Sequence, residues 1–114
     1  MLKKCLLVSL SIGMLELFAV NLPIVKDGKS DYRIICPSDG ECARLISYAS
    51  GIFSRLLEQG SGAKLIVVKD KDEVKGRFIS IGHTRQLKQA GFASAPLGKW
   101  EYRIEVKDGN IYLY

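Results

Sequence analysis

His83 is the only histidine in the sequence, so nucleophilic catalysis through a Ser–His or Cys–His pair would rest on that residue alone. It follows Gly82 at the end of a predicted strand, where active-site residues of α/β sheets gather. No residue at a recognisable spacing supplies an orienting partner, and the expectation is a turn residue bonded to backbone. Asp70, Asp72 and Glu73 are the next candidates, because two carboxyl groups held about 5–10 Å apart on rigid supports can cleave a glycosidic bond. All three fall in one lysine-rich stretch, Lys69 to Gly76, where neighbouring ammonium groups favour the ionised form. A general acid needs the opposite environment, so a solvated loop is expected. Gly60-Ser61-Gly62-Ala63-Lys64 has the glycines of a phosphate cradle, but it runs out of a helix into a strand rather than from a strand into a helix N-terminus. It is expected to cap a helix.

Of the three cysteines, Cys36 and Cys42 flank the turn Pro37-Ser38-Asp39-Gly40-Glu41. Two independent buried thiols are expected, with a disulfide as the alternative in an exported chain. With one histidine and no C-x-x-C pair, no metal site or other cofactor is expected. Trp100, Tyr102, Tyr112 and Tyr114 could offer stacked rings to a sugar face, although aromatic residues on a hairpin more often make cross-strand pairs or meet a neighbouring domain. The formal net charge is +5. Its basic residues are dispersed among acidic and apolar ones, with no run of like charge, and no nucleic-acid partner is expected.

The elements that would position these residues follow from hydrophobic period and turn chemistry. Asn21–Val25 reads as a short strand whose Pro23 places it at an edge or a strand start, followed by the turn Lys26-Asp27-Gly28-Lys29. Tyr32–Cys36 is a second strand, stopped by Pro37. Ser38 and Glu41 have the spacing of a capping box. Cys42, Leu45, Ile46, Ala49, Ile52, Phe53, Leu56 and Leu57 then recur at helical spacing as an apolar stripe, ended by Gly60 and Gly62. Lys64–Val68 is a near-continuous apolar run, expected to be buried on both faces and hence central in the sheet. Arg77–Ile81 is a strand and Arg85–Ala90 a short helix stopped by Gly91. Phe92–Lys99 is a loop. Tyr102 to Tyr114 is a hairpin in which Tyr102, Ile104 and Val106 alternate with charged residues around the turn Asp108-Gly109-Asn110. This order predicts an α/β (α+β) fold: a mixed β-sheet with one long helix packed on it and a C-terminal β-hairpin.

Residues 1–20 have a basic start, Lys3 and Lys4, and an apolar run from Cys5 to Val20 interrupted by Glu16. That order is expected of a secretory signal peptide, and the run falls short of the roughly 20 residues of a spanning helix. No stable membrane span is expected, and the localisation expected is secreted or periplasmic. Residues 21–114 would form the domain. Its last strand stops at the final residue, from which a domain that normally continues into more chain is expected.

With the elements placed, an ordered set of segments becomes legible: Val25-Lys26-Asp27-Gly28-Lys29-Ser30-Asp31-Tyr32 running into Ile34-Ile35, the helix starting near Glu41, Gly62-Ala63-Lys64-Leu65-Ile66-Val67-Val68, Ile79-Ser80-Ile81-Gly82-His83-Thr84, Tyr102-Arg103-Ile104 and Asp108-Gly109-Asn110-Ile111-Tyr112. In this order the chain resembles the non-catalytic, zincin-like N-terminal domain that precedes the catalytic barrel in α-glucuronidases, β-hexosaminidases and related glycoside hydrolases. The resemblance implies an accessory domain that packs against a barrel, in an enzyme of polysaccharide or carbohydrate degradation. It implies no metal centre. The family's catalytic residues lie in the barrel, so none carries over to a position here. Family members follow the last strand with a glycine pair and a further helix, which this sequence lacks. The expectation is therefore a truncated accessory domain with no chemistry of its own. The alternative is a stand-alone exported carbohydrate-binding module using Trp100 and the hairpin tyrosines.

Overall fold

The computed structural model describes residues 23–92, 97–98 and 101–114. The expected signal peptide over residues 1–20, the start of the expected first strand and Trp100 lie outside the described residues. Seven elements follow one another: β1 (Arg33–Cys36), α1 (Ala43–Ser61), β2 (Val67–Lys69), β3 (Phe78–Ile81), α2 (Arg85–Ala90), β4 (Ile104–Lys107) and β5 (Asn110–Leu113). The strands form one mixed sheet in the order β2-β1-β3-β5-β4. The first four of these run parallel, and β4 is antiparallel to β5.

Alternation along each strand divides the apolar residues between two faces. On one face Ile34, Ile79, Ala63, Leu65 and Tyr32 are buried together, with Leu57 of α1, Val67, Ile81, Ile111 and Leu113 packed around them. On the other face Ile35, Phe78, Leu87 and Tyr112 are buried, with Val68, Val74, Ala90 and Phe92 beside them. Full burial of a side chain such as Ile34, Ile35, Leu65 or Leu87 contributes about 1.5–3 kcal/mol. Because adjacent strand positions face opposite ways, the sheet is covered on both sides, by α1 on one face and by α2 with its flanking loops on the other. The outcome is the expected α/β architecture, with the long helix on one face and the hairpin at the C-terminal side.

Several local expectations change. Pro23 to Val25 form no strand; Ile24 and Val25 pack against the core as irregular chain. Only the turn after them forms, with Asp27 and Gly28 at positive φ and Lys26 and Lys29 exchanging backbone hydrogen bonds of 2.8 and 3.0 Å. The capping box is absent: α1 starts at Ala43, its N-cap is Cys42 and no side chain caps it. Ser38 is too far upstream, and its hydroxyl is committed to Asp70 instead. β2 is an edge strand rather than a central one. Its residues are covered on both faces, Val67 below α1 and Val68 on the opposite side, so two-faced burial here comes from helix and loop and not from strands on both sides.

The hairpin closes through a two-residue turn between Lys107 and Asn110. Asp108 (φ 54°) and Gly109 (φ 80°) carry the positive φ values that a primed turn demands. Asn110 was expected to share that role; it is a strand residue, and its Oδ1 accepts from the Phe78 N–H at 3.0 Å. The Tyr32 hydroxyl donates to the Gly109 carbonyl at 2.8 Å, tying the turn to the chain before β1.

Candidate functional site: an uncovered apolar face

The residues singled out for chemistry are spread over the fold. His83 is exposed after β3, with its ring against that of Tyr114 at a centroid separation of 6.1 Å. Gly62 ends α1 in the left-handed conformation, its N–H donating to the Glu58 carbonyl at 2.8 Å, whereas Gly60 lies within the helix, so one glycine of the expected pair is the cap. Cys36 and Cys42 are not bonded to each other. Cys36 is buried, but Cys42 is exposed, because the first turn of α1 projects it away from the sheet; the expectation of two buried thiols holds for one.

Asp70 departs most from expectation. It is 9% exposed, not a solvated loop residue. Its Oδ1 accepts from the Ser38 N–H (2.8 Å) and the Ser38 hydroxyl (2.5 Å), and its Oδ2 from the Arg85 N–H (2.9 Å). Burial, the largest single influence, works against ionisation. The hydrogen bonds from Ser38 and Arg85, with the Arg85 guanidinium charge, outweigh it and hold the carboxyl below its ordinary value of 3.8. A carboxyl held below its ordinary value, with its oxygens engaged by donors, is poorly suited to serve as a general acid at neutral pH. It clamps the loops after β1 and β2 to the start of α2. The sequence signal was present but easy to pass over: Ser38 and Asp70 each follow the end of a parallel strand, where loops converge. Asp72 and Glu73 remain exposed, and among the described residues no group of acidic, histidine or cysteine side chains could hold a metal ion.

The candidate aromatic surface is divided between two faces. Tyr112 is buried, its ring edge-on to Phe78 (5.6 Å) and Phe92 (5.2 Å). Tyr114 stacks on Phe92 at 6.5 Å and donates its hydroxyl to the Phe92 carbonyl at 3.2 Å. Tyr102 lies two residues before Ile104, on the opposite side of the hairpin by alternation, and is 77% exposed. The structure thus brings Tyr112 and Tyr114 together in the core around Phe92 and leaves Tyr102 apart from them.

What the fold does expose is apolar. α1 packs over β1 and β2, and a hydrogen bond from Lys69 Nζ to Ser47 Oγ (3.1 Å) marks the flank that overhangs β2. Leu45, Ala49, Phe53 and Leu56 recur at helical spacing along another side of α1, turned away from the buried Ser50. Leu45, Phe53 and Leu56 are exposed there, Leu56 at 58%. On the sheet below, Ile104 and Val106 stand opposite Leu113 and Ile111 and are 60% and 42% exposed. α1 and β4 thus each expose apolar side chains, those of β4 on the face of the sheet that α1 covers in part. Exposed apolar side chains gathered in this way mark a place where something packs.

A second feature is an open depression of about 400 Å³ on the opposite face, between α2 and the hairpin turn. Its rim mixes Glu73 and Asp108 with Arg85 and Lys107. Both cations are committed, Arg85 to the carbonyls of Asp70 and Asp72 and Lys107 Nζ to that of Ala90 (3.0 Å). The exposed apolar side chains of α1 and β4 are the more distinctive feature. Among the described residues no helix is long and apolar enough to cross a membrane. No protein-family model, curated protein or solved structure matches the chain.

Proposed function

We propose that the chain is a non-catalytic accessory domain of a secreted glycoside hydrolase, and that its uncovered apolar face packs against the rest of that enzyme, including its catalytic barrel. The observation that carries this reading is the exposure of apolar side chains that a domain interior would normally cover, Leu45, Phe53 and Leu56 on α1 and Ile104 and Val106 on β4. The ordered resemblance of residues 25–112 to the N-terminal domains of α-glucuronidases and β-hexosaminidases supports the identity of the partner. In this role the chain's contribution is shape and support, while proton transfer and nucleophilic attack belong to the barrel.

The test is complementation. An α-glucuronidase or β-hexosaminidase barrel prepared without its own N-terminal domain is mixed with the chain, and barrel melting temperature and glycoside turnover are followed. The chain should raise the melting temperature, and Leu56→Asp with Ile104→Asp should abolish that gain. Absence of any effect on either barrel would sink the proposal. So would turnover of aryl glycosides by the chain alone that is lost in His83→Ala.

A further inference from the structure

β4 is the outermost strand on its side of the sheet, and its free edge is complementary to itself. Arg103 and Tyr114 exchange backbone hydrogen bonds in both directions, and Lys107 stands opposite Asn110 at the turn. In an antiparallel ladder this parity turns the backbone N–H and C=O groups of Arg103, Glu105 and Lys107 toward β5 and those of Tyr102, Ile104 and Val106 outward. Among the described residues no loop or helix backbone hydrogen-bonds to these outward groups. Such an edge pairs with any strand that meets it unless side chains forbid the register.

A two-fold pairing of β4 with a second copy must set outward residues opposite outward residues, which leaves few registers. Centring on Arg103 opposes two arginines, and centring on Glu105 opposes two glutamates; like charges directly opposite are destabilising. Centring on Tyr102 or Val106 shortens the overlap. Centring on Ile104 sets Ile104 against the second copy's Ile104, Tyr102 against its Val106, Arg103 against its Glu105 and Glu101 against its Lys107. Every pair is then apolar with apolar or opposite in charge, and the two-fold repeats each one.

We propose that the chain forms a homodimer through β4 in this register, joining two five-stranded sheets into one. The contact is isologous, so it consumes the β4 edge and closes at two copies. It sets Ile104, Val106 and Tyr102, exposed in the single chain, beside apolar side chains of the second copy. Its backbone pairing uses the edge of β4 and leaves the faces of the sheet open, so it stands whether or not the barrel partner does.

Sedimentation equilibrium of the full chain reads the association, and charge reversal reads the register. Arg103→Glu and Glu105→Arg each turn two attractive pairs repulsive and should weaken the dimer by about tenfold or more in Kd. The double variant should recover it, which a merely misfolded single variant would not do. In a Cys42→Ser background, Ile104→Cys should give a disulfide-linked dimer, because hydrogen-bonded antiparallel partners lie with their Cα atoms about 5.5 Å apart, within disulfide reach. Glu105→Cys should not, being opposite Arg103 of the other copy. A chain that stays monomeric at roughly 100 μM, far above the concentrations at which specific dimers dissociate, would overturn the proposal. A dimer indifferent to both single reversals, or cross-linked through Glu105→Cys and not through Ile104→Cys, would overturn it equally.

Discussion

Replacing Asp70 with alanine should be the most damaging single change to a polar residue of this fold. The carboxylate accepts two backbone N–H groups, those of Ser38 and Arg85, and the Ser38 hydroxyl. The same hydroxyl accepts from the Lys71 N–H at 3.2 Å, so its orientation is set on both sides. Hydrogen bonds to a charged group contribute about 1.5–3 kcal/mol each, but Ser38 and Arg85 are not fully buried and water can replace part of what is lost. A net loss of about 3 kcal/mol is expected, which for a domain of this size lowers Tm by roughly 12–24 °C. Asp70→Asn should lose less, because one acceptor oxygen survives while its amide meets an N–H donor.

The pH dependence follows from the direction of the shift. A carboxyl held below 3.8 in the folded chain adds stability at neutral pH that is lost as pH falls through its folded value. The gap between wild type and Asp70→Ala should therefore be widest at neutral pH and narrow on acidification below about pH 4. Urea denaturation followed by far-UV circular dichroism at a series of pH values measures both. A loss below about 1 kcal/mol at pH 7, or a gap that widens on acidification, would refute the clamp.

Three further outcomes are expected. Gly82→Ala should cost more than about 1 kcal/mol in thermal denaturation, since Gly82 sits at φ +85° and an added Cβ would lie 2.7 Å from Ile46 Cδ1. In a spectrophotometric titration the Tyr112 phenol should ionise above 10.0: burial, joined by the nearby Asp108 charge and only partly offset by Asn110, pushes it up. Tyr112→Phe should remove that step, and stability should fall as pH rises through it, because the folded state favours the neutral phenol. Leu56→Asp should leave the stability of the chain within about 0.5 kcal/mol, because its side chain is exposed, and any larger loss would show that something already packs on it.

Strands β1 and β3, helices α1 and α2 and the hairpin were legible because their apolar periods and turn residues act locally. Ile34 and Ile35 announce a strand with two covered faces, and Gly62 and Gly91 end helices whatever surrounds them. Other features depend on partners that sequence spacing does not reveal. Lys64 to Val68 read as a central strand, but Ile66 is 54% exposed and coverage of its neighbours comes from α1 and from the loop residue Val74. Ser38 looked like a helix cap because its spacing to Glu41 is right; a buried carboxylate 32 residues away competes for the same hydroxyl and wins. Asp70 looked solvated because its sequence neighbours are charged, although its spatial neighbours are strand ends. Tyr102, Ile104 and Val106 carried the alternation of a half-buried strand, yet the face they share is open. The candidate surface was therefore visible as a pattern, while its exposure required knowing where α1 stops covering the sheet.

We propose that the exposed apolar side chains of α1 and the hairpin form the face that meets a catalytic barrel. Hydrogen exchange of the chain's backbone amides, measured alone and with the barrel of an α-glucuronidase or β-hexosaminidase, tests it most directly. Added protection should concentrate in residues 44–57 of α1 and 103–113 of the hairpin, and the loop at 70–76 should exchange as before. Protection confined to α2 and the depression beside it, or no change with either barrel, would contradict the account.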